Sequence, residues 1–163
     1  MLAVRAMKEG LPTIRARMFN VVGPGQKSNF VISALARRIV QIEAGLCRPE
    51  IEVTSLSPAR DFVDVRDAAA GLLLLLGKGR TGNVYNICSG RSTQIKKVLH
   101  SLFSMSQYSN DIQVMERSGF ADQIPHHCGS AEKIKRIGWC PRYKLNRTLS
   151  DCLDFWRFKI KNE

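Results

Sequence analysis

Two stretches of this chain carry side chains suited to holding an anionic ligand. The first, Arg17-Met18-Phe19-Asn20-Val21-Val22-Gly23-Pro24-Gly25-Gln26, reads as a buried strand from Thr13 to Val22 that breaks into a Gly-Pro-Gly loop. Such a loop exposes backbone amides, and the Asn20 carboxamide beside it, to a ligand. The second, Arg60-Asp61-Phe62-Val63-Asp64-Val65-Arg66-Asp67, places an arginine just ahead of a helix start, with Asp64 as N-cap and Asp67 completing a capping-box-like pair. A guanidinium there can fork onto a phosphate. Both residues also have plain structural uses: Asn20 suits the turn at a strand end, and Arg60 could close a surface ion pair with Asp61 or Asp64. A tyrosine–lysine pair for proton transfer is absent from the sequence, because Tyr85, Tyr108 and Tyr143 are followed four positions later by Ser89, Ile112 and Arg147.

Two further patterns invite chemistry and carry less. His126-His127 beside Cys128 has metal-ligand types, but the nearest further cysteine is Cys140 and no second short-spaced pair exists, so the stretch reads as a polar loop holding no metal. Gly77-Lys78-Gly79-Arg80-Thr81-Gly82 satisfies G-x-G-x-x-G letter for letter. A dinucleotide turn needs a strand before those glycines and a helix opening after them, so that the pyrophosphate meets the helix N-terminus. Here the order is reversed, and the glycines end a Leu-rich helix and turn the chain.

The elements that must position these groups alternate. Met1 to Glu9 reads as the end of a helix stopped at Gly10, with Pro12 beyond it. Apolar periodicity from Phe30 to Glu43, closed by Gly45, predicts a helix of about fourteen residues. Phe30 and Val31 are its first-turn positions, able to serve the core or a ligand. Ile51 to Thr54 reads as a short strand, and Asp64 to Gly77 as a core helix with a buried Leu72 to Leu76 run. Asn83 to Cys88 is β-rich, Thr93 to Ser104 is an amphipathic helix, and Ile112 to Met115 is a short strand. The stretch from there to Gly129 gives no assignment. Helices over Ala131 to Ile137 and Leu145 to Lys159 flank Gly138-Trp139-Cys140-Pro141. This order defines an α/β class.

Composition narrows the partners. The hydrophobic share of 44% and charged share of 24% are those of a soluble globular protein. Ala68 to Leu76, the longest apolar run, is about half of a membrane span, so no membrane partner is expected. Met1 to Glu9 carries charges where the apolar core of a signal peptide would lie. Five cysteines form no C-x-x-C pair, which reads as reduced thiols in a cytoplasmic protein. A net charge of +11 attracts anions. The basic cluster Lys133, Lys135, Arg136, Arg142, Lys144 and Arg147 lacks any nucleic-acid-binding motif and reads as a solvated face, leaving nucleotide phosphates as a sharper partner than nucleic acid.

Three motifs, in order and at matching spacing, resemble the nucleotide-sugar branch of the extended short-chain dehydrogenases/reductases. They are Phe19-Asn20-Val21-Val22-Gly23-Pro24-Gly25-Gln26 with Asn29-Phe30-Val31, the Arg60 to Asp67 block, and Gly82-Asn83-Val84-Tyr85-Asn86-Ile87-Cys88-Ser89-Gly90. The nearest likeness is to GDP-mannose 4,6-dehydratases and GDP-4-keto-6-deoxymannose reductases, and it covers only the C-terminal half of such an enzyme. The resemblance implies the C-terminal part of a Rossmann-type NAD(P)-binding fold plus a mixed α/β substrate-binding lobe. Residues 1–26 would end the Rossmann-type domain, and 27–163 would form the lobe, interleaved with the last Rossmann strand near 83–88. It further implies NAD or NADP as cofactor, with Met18 and Phe19 beside the nicotinamide, and a nucleotide-diphosphate sugar as ligand. Asn20 would contact the ligand near the sugar-diphosphate, Phe30 and Val31 the base or ribose, and Arg60 the pyrophosphate. Phe120 stands where the family's second phosphate-binding arginine is expected, and Gly129-Ser130 where Gly-Asp is expected. Lacking the Gly-rich turn and Tyr-x-x-x-Lys, the chain is expected to be inactive alone. Pairing with a missing N-terminal half, or a homo-oligomer, is the protein partnership implied. A non-catalytic binding module is the alternative reading.

Overall fold

The computed structural model describes residues 6, 8–108, 111–117 and 124–162. Ala6 and Lys8 are helical, and the Leu11 N–H closes on the Ala6 carbonyl at 2.9 Å across Gly10, whose φ is 70°. This left-handed closure is the helix stop expected at that glycine.

The strand expected over Thr13 to Val22 is two strands in two sheets. Strand β1 (Arg15–Met18) runs parallel to β5 (Val84–Ile87), whereas β2 (Asn20–Val22) runs parallel to β4 (Ala59–Asp64). Phe19 stands at the change of partner, its N–H donating to the Ile87 carbonyl at 3.1 Å. Arg15 likewise donates to the Asn83 carbonyl at 2.9 Å. With a period of two, Ala16 and Met18 therefore aim their backbone groups at the opposite edge, where β1 has no partner strand among the described residues.

Arg60 to Val63, expected as the approach to a helix, is the centre of a sheet. Strand β4 also pairs antiparallel with β6 (Ser92–Gln94) and parallel with β8 (His126–His127), a segment expected to be a polar loop. Asp61 is fully buried in this strand, and its carboxylate accepts from the Ser89 N–H and hydroxyl at 2.8 and 2.6 Å, the Gly90 N–H at 3.0 Å and the Gly129 N–H at 3.1 Å. Four donors satisfy a charge that otherwise could not sit in a strand interior.

Helix α1 (Val31–Glu43) follows the expected period, burying Ile32, Leu35, Ala36, Ile39, Val40 and Ile42. It packs against α5 (Leu145–Lys161), through Leu149, Leu153 and Trp156, and against α3 (Ile95–Ser104). Strand β3 (Glu50–Val53), parallel to β7 (Gln113–Glu116), joins the same core. A second buried cluster joins Val63, Tyr85, Ile87 and Cys88 to Ala68 and Leu75 of α2 (Val65–Lys78), Ile134 of α4 (Glu132–Lys135) and Trp139. Helix α4 is shorter than the expected Ala131 to Ile137, because Ile137 and Gly138 turn their N–H groups onto carbonyls three residues back.

Asp64 caps α2 as expected, accepting from the Arg66 N–H at 2.8 Å. Asp67 forms no capping box; its carboxylate takes the N–H groups of Arg142 and Tyr143, each at 3.0 Å. The Leu72 to Leu76 run is not buried throughout: Leu75 is 3% exposed, whereas Leu73 and Leu76 are 69% and 83% exposed. The glycines after α2 do end it, with the Gly79 N–H on the Leu75 carbonyl at 2.9 Å and Gly82 at a φ of 77°. No helix among the described residues is long and apolar enough to cross a membrane.

Candidate functional site

A cavity of about 800 Å³ lies between β4 and the start of α1, bordered also by β3 and the 54–58 loop. Asn20, Val31 and Arg60 line it, together with Asn29, Phe62, Ile124 and His127. The start of β2 places Asn20, whose side-chain N–H donates to the Asp61 carbonyl at 2.9 Å. That bond sets the carboxamide in one orientation. Arg60 is held from β4 by bonds from its Nη1 to the Ala59 and Ile124 carbonyls at 3.0 and 2.7 Å. The ion pair with Asp61 or Asp64 does not form, since Asp61 serves the loop donors and Asp64 serves Arg66 and Thr148.

His127 was not among the residues expected here. It is the register partner of Arg60 across β4 and β8, and its ring stacks on Phe19 with centroids 4.6 Å apart and planes at 13°. A two-residue strand has no periodicity to read, so nothing in the sequence could place it. His126 Nε2 shares a hydrogen bond of 2.6 Å with the Ser92 hydroxyl. Among the described residues no three His, Cys, Asp or Glu side chains gather to hold a metal ion, and all five cysteines are free.

Other expected residues lie outside the cavity lining. Phe30 is the N-cap of α1, is 53% exposed and is not among the residues lining the cavity. Phe19 is packed against the second buried cluster and reaches the cavity only through His127. Met18 ends β1 at the edge that has no partner strand among the described residues, where its backbone amide and carbonyl can meet a carboxamide; these groups fit the nicotinamide end of NAD or NADP. Phe120 lies outside the described residues.

Behind β4, Asp64 is a hub. Burial raises its carboxyl pKa, but bonds from the Arg66 guanidinium, the Thr148 hydroxyl and the Arg66 N–H outweigh burial and hold it below the ordinary value. Beneath Phe19, burial, reinforced by the nearby Asp61 charge, pushes the Cys88 thiol up to about 11. It is a packing residue rather than a thiolate.

Parallel strands flanked by helices, with a largely apolar cavity beside them that Asn20, Arg60 and His127 reach, define a Rossmann-type α/β protein. The chain belongs to the NAD dependent epimerase/dehydratase family, whose model matches residues 1–88. It is 35% identical over 156 residues to the GDP-6-deoxy-D-mannose reductase of Pseudomonas aeruginosa, covering 95% of this chain and 51% of that protein. Its fold matches RMD from Pseudomonas aeruginosa complexed with NADPH at a TM-score of 0.90 and 31% identity, over 96% of this chain and 52% of the other. It matches the UDP-glucose 4-epimerase of Thermotoga maritima with UDP-glucose at a TM-score of 0.78 and 25% identity, over 99% and 50%. The chain spans about half the length of these proteins.

Proposed function

We propose that this chain is the substrate-binding portion, with the last Rossmann strands, of an NAD(P)-dependent nucleotide-sugar reductase, dehydratase or epimerase. The observation that carries the reading is the convergence of Asn20, Val31 and Arg60, from three separate elements, on one cavity in a chain of this family. In this reading the diphosphate lies against Arg60, the base or ribose against Val31, and the hexose between Asn20 and His127. The 1–26 segment and the strand near 83–88 belong to the Rossmann-type part; the second buried cluster supports that grouping and adds α2 and Trp139 to it. Met18 and Phe19 would lie beside the nicotinamide of NAD or NADP, which when bound would exchange a hydride with a hexose carbon. Phe19 holds His127 by stacking, and the Asn20 bond to the Asp61 carbonyl keeps the carboxamide from rotating, so both hexose contacts are fixed before the ligand arrives. These 163 residues hold no Tyr-x-x-x-Lys to move the hydroxyl proton, so the proposal for this chain by itself is binding without turnover.

Calorimetric and thermal-shift titration with GDP-mannose, UDP-glucose and dTDP-glucose tests it. Saturable binding of one of them, lost in Arg60→Ala, is expected. Binding of none, or binding unaltered by the substitution, would overturn the assignment.

A further inference from the structure

A second cavity, of about 620 Å³, opens beside the first. Arg60, Phe62 and Asp64 share one face of β4 by their spacing of two; Phe62 borders both cavities, Arg60 only the first and Asp64 only the second. Four cations and two carboxylates line this second cavity. Asp64 is committed to the Arg66 guanidinium and the Thr148 hydroxyl, and Glu132 pairs with Lys135 at 3.0 Å, so these charges are met locally. Arg91, Arg142 and Lys144 remain. All three are exposed, and among the described residues no acceptor meets their side-chain charges.

The loops that carry the two arginines are fixed from within the fold. Buried Asp61 takes the Ser89 and Gly90 N–H groups at 2.8 and 3.0 Å, and the Arg91 N–H closes on the Ser89 hydroxyl at 3.2 Å. Asp67, also buried, takes the N–H groups of Arg142 and Tyr143, each at 3.0 Å. The backbone beneath both guanidinium groups is thus set before a ligand arrives, which removes part of the ordering cost of binding. By sequence Arg142 and Lys144 belong to a solvated basic face; the fold instead gathers them with Arg91 around one cavity. A cleft edged by cations that have no counter-charge concentrates anions. The walls also present the Thr93 and Ser130 hydroxyls, neither of which has a side-chain partner among the described residues. The volume is that of a small-molecule site and exceeds what one phosphate group fills. We infer that this cavity binds a phosphate ester of a small polyhydroxylated molecule, of sugar size. The phosphate sits among Arg91, Arg142 and Lys144, and the ligand's hydroxyls meet Thr93 and Ser130. A dianion answers three cations better than a carboxylate does, and guanidinium forks match phosphate oxygens.

The test is calorimetric titration with glucose 6-phosphate, inorganic phosphate and glucose, at ionic strength held constant with chloride, of the wild-type chain and of Arg91→Ala, Lys144→Ala and Arg60→Ala. Saturable binding of glucose 6-phosphate is expected, about tenfold tighter than inorganic phosphate, weakened about tenfold by Arg91→Ala and by Lys144→Ala, and unchanged by Arg60→Ala. Glucose is expected not to saturate. Both new alanine positions are exposed, so their melting curves should match wild type and a lost affinity reads the site rather than the fold. No saturation by glucose 6-phosphate, wild-type affinity in Arg91→Ala and Lys144→Ala, or loss in Arg60→Ala would overturn the proposal. Equal affinity for inorganic phosphate and the ester would overturn the sugar-sized ligand. The probes carry no nucleotide, so failure here and failure of the nucleotide-sugar reading are separate outcomes.

Discussion

His127 and Phe19 stack face to face, 4.6 Å between ring centroids and 13° from parallel, with Phe19 at the junction between β1 and β2 and His127 on β8, the strand that pairs with β4. The stack ties the β1–β2 junction to the wall of the larger cavity. In the proposed reading His127 touches the hexose and not the nucleotide. His127→Ala is therefore expected to remove most of the affinity difference between a nucleotide sugar and its nucleoside diphosphate, leaving the diphosphate's own affinity within about twofold, since one exposed contact is worth a fraction of a kcal/mol to the rest of the site. Paired calorimetric titrations of the two ligands check this, and an unchanged difference would place the hexose elsewhere.

In the proposed reading Arg60 meets the diphosphate with a guanidinium held by two carbonyls, and a lysine cannot reproduce that geometry. Arg60→Lys is expected to recover less than half of the binding free energy lost in Arg60→Ala, where the loss is about 1.5–3 kcal/mol. Equal affinity of the lysine variant and wild type would reduce Arg60 to a point charge.

Much of the architecture was legible in the sequence because helices advertise themselves by period and caps. The α1 period, the Asp64 cap and the glycine stops at Gly10 and Gly79 each reflect local chemistry and each fell where expected. Strand β4 was hidden because Arg60 and Asp61 look like solvent-facing residues; only tertiary donors from Ser89, Gly90 and Gly129 make Asp61 tolerable in a strand. The Leu72 to Leu76 run misled for the converse reason, since apolar type alone does not say how many faces of a helix have a partner. In the site, Asn20 and Arg60 stood out by residue type beside a Gly-Pro-Gly loop and a helix start, their roles and that of Val31 were sharpened by the motif resemblance, and His127 had no signal that could have found it.

Gly129 is a close-approach glycine. A Cβ there would lie 2.5 Å from Phe19 Cζ and 2.6 Å from Cys88 Sγ, inside the second buried cluster. Gly129→Ala is expected to destabilise the fold by about 1–3 kcal/mol and, at this chain length, lower the melting temperature by several degrees. A calorimetric melt checks it; wild-type stability would mean the Phe19 ring moves away freely.

Acid sensitivity follows from Asp64. Its folded pKa lies below the ordinary 3.8, so on acidification the unfolded chain takes up the proton first. The stabilisation is whole above about pH 4 and is lost as pH falls through the folded value. Glu43, where burial is outweighed by bonds from Arg157, Gln107 and Ser106, behaves the same way against an ordinary value of 4.5. Asp64→Asn keeps a helix cap but loses the ion pair to Arg66, and is expected to lower stability at neutral pH by about 2 kcal/mol while flattening the acid limb of a melting-temperature profile. An acid limb as steep as wild type would assign the effect to other carboxylates.

The exposed leucines of α2, and the edge of β1 that has no partner strand among the described residues, predict behaviour in solution. Leu73 and Leu76 offer apolar surface, and Ala16 and Met18 offer backbone donors and acceptors that another strand can pair. The chain on its own is expected to self-associate as concentration rises, or to pair with a polypeptide supplying the rest of a family enzyme. Leu73→Lys combined with Leu76→Lys removes apolar surface that contributes nothing to the buried clusters, so it is expected to reduce association with little change in melting temperature. Light scattering across a concentration series reads the outcome. If the double variant associates as strongly as wild type, the strand edge is the dominant contact, and a proline at Ala16, whose N–H faces that edge, becomes the substitution that should abolish it.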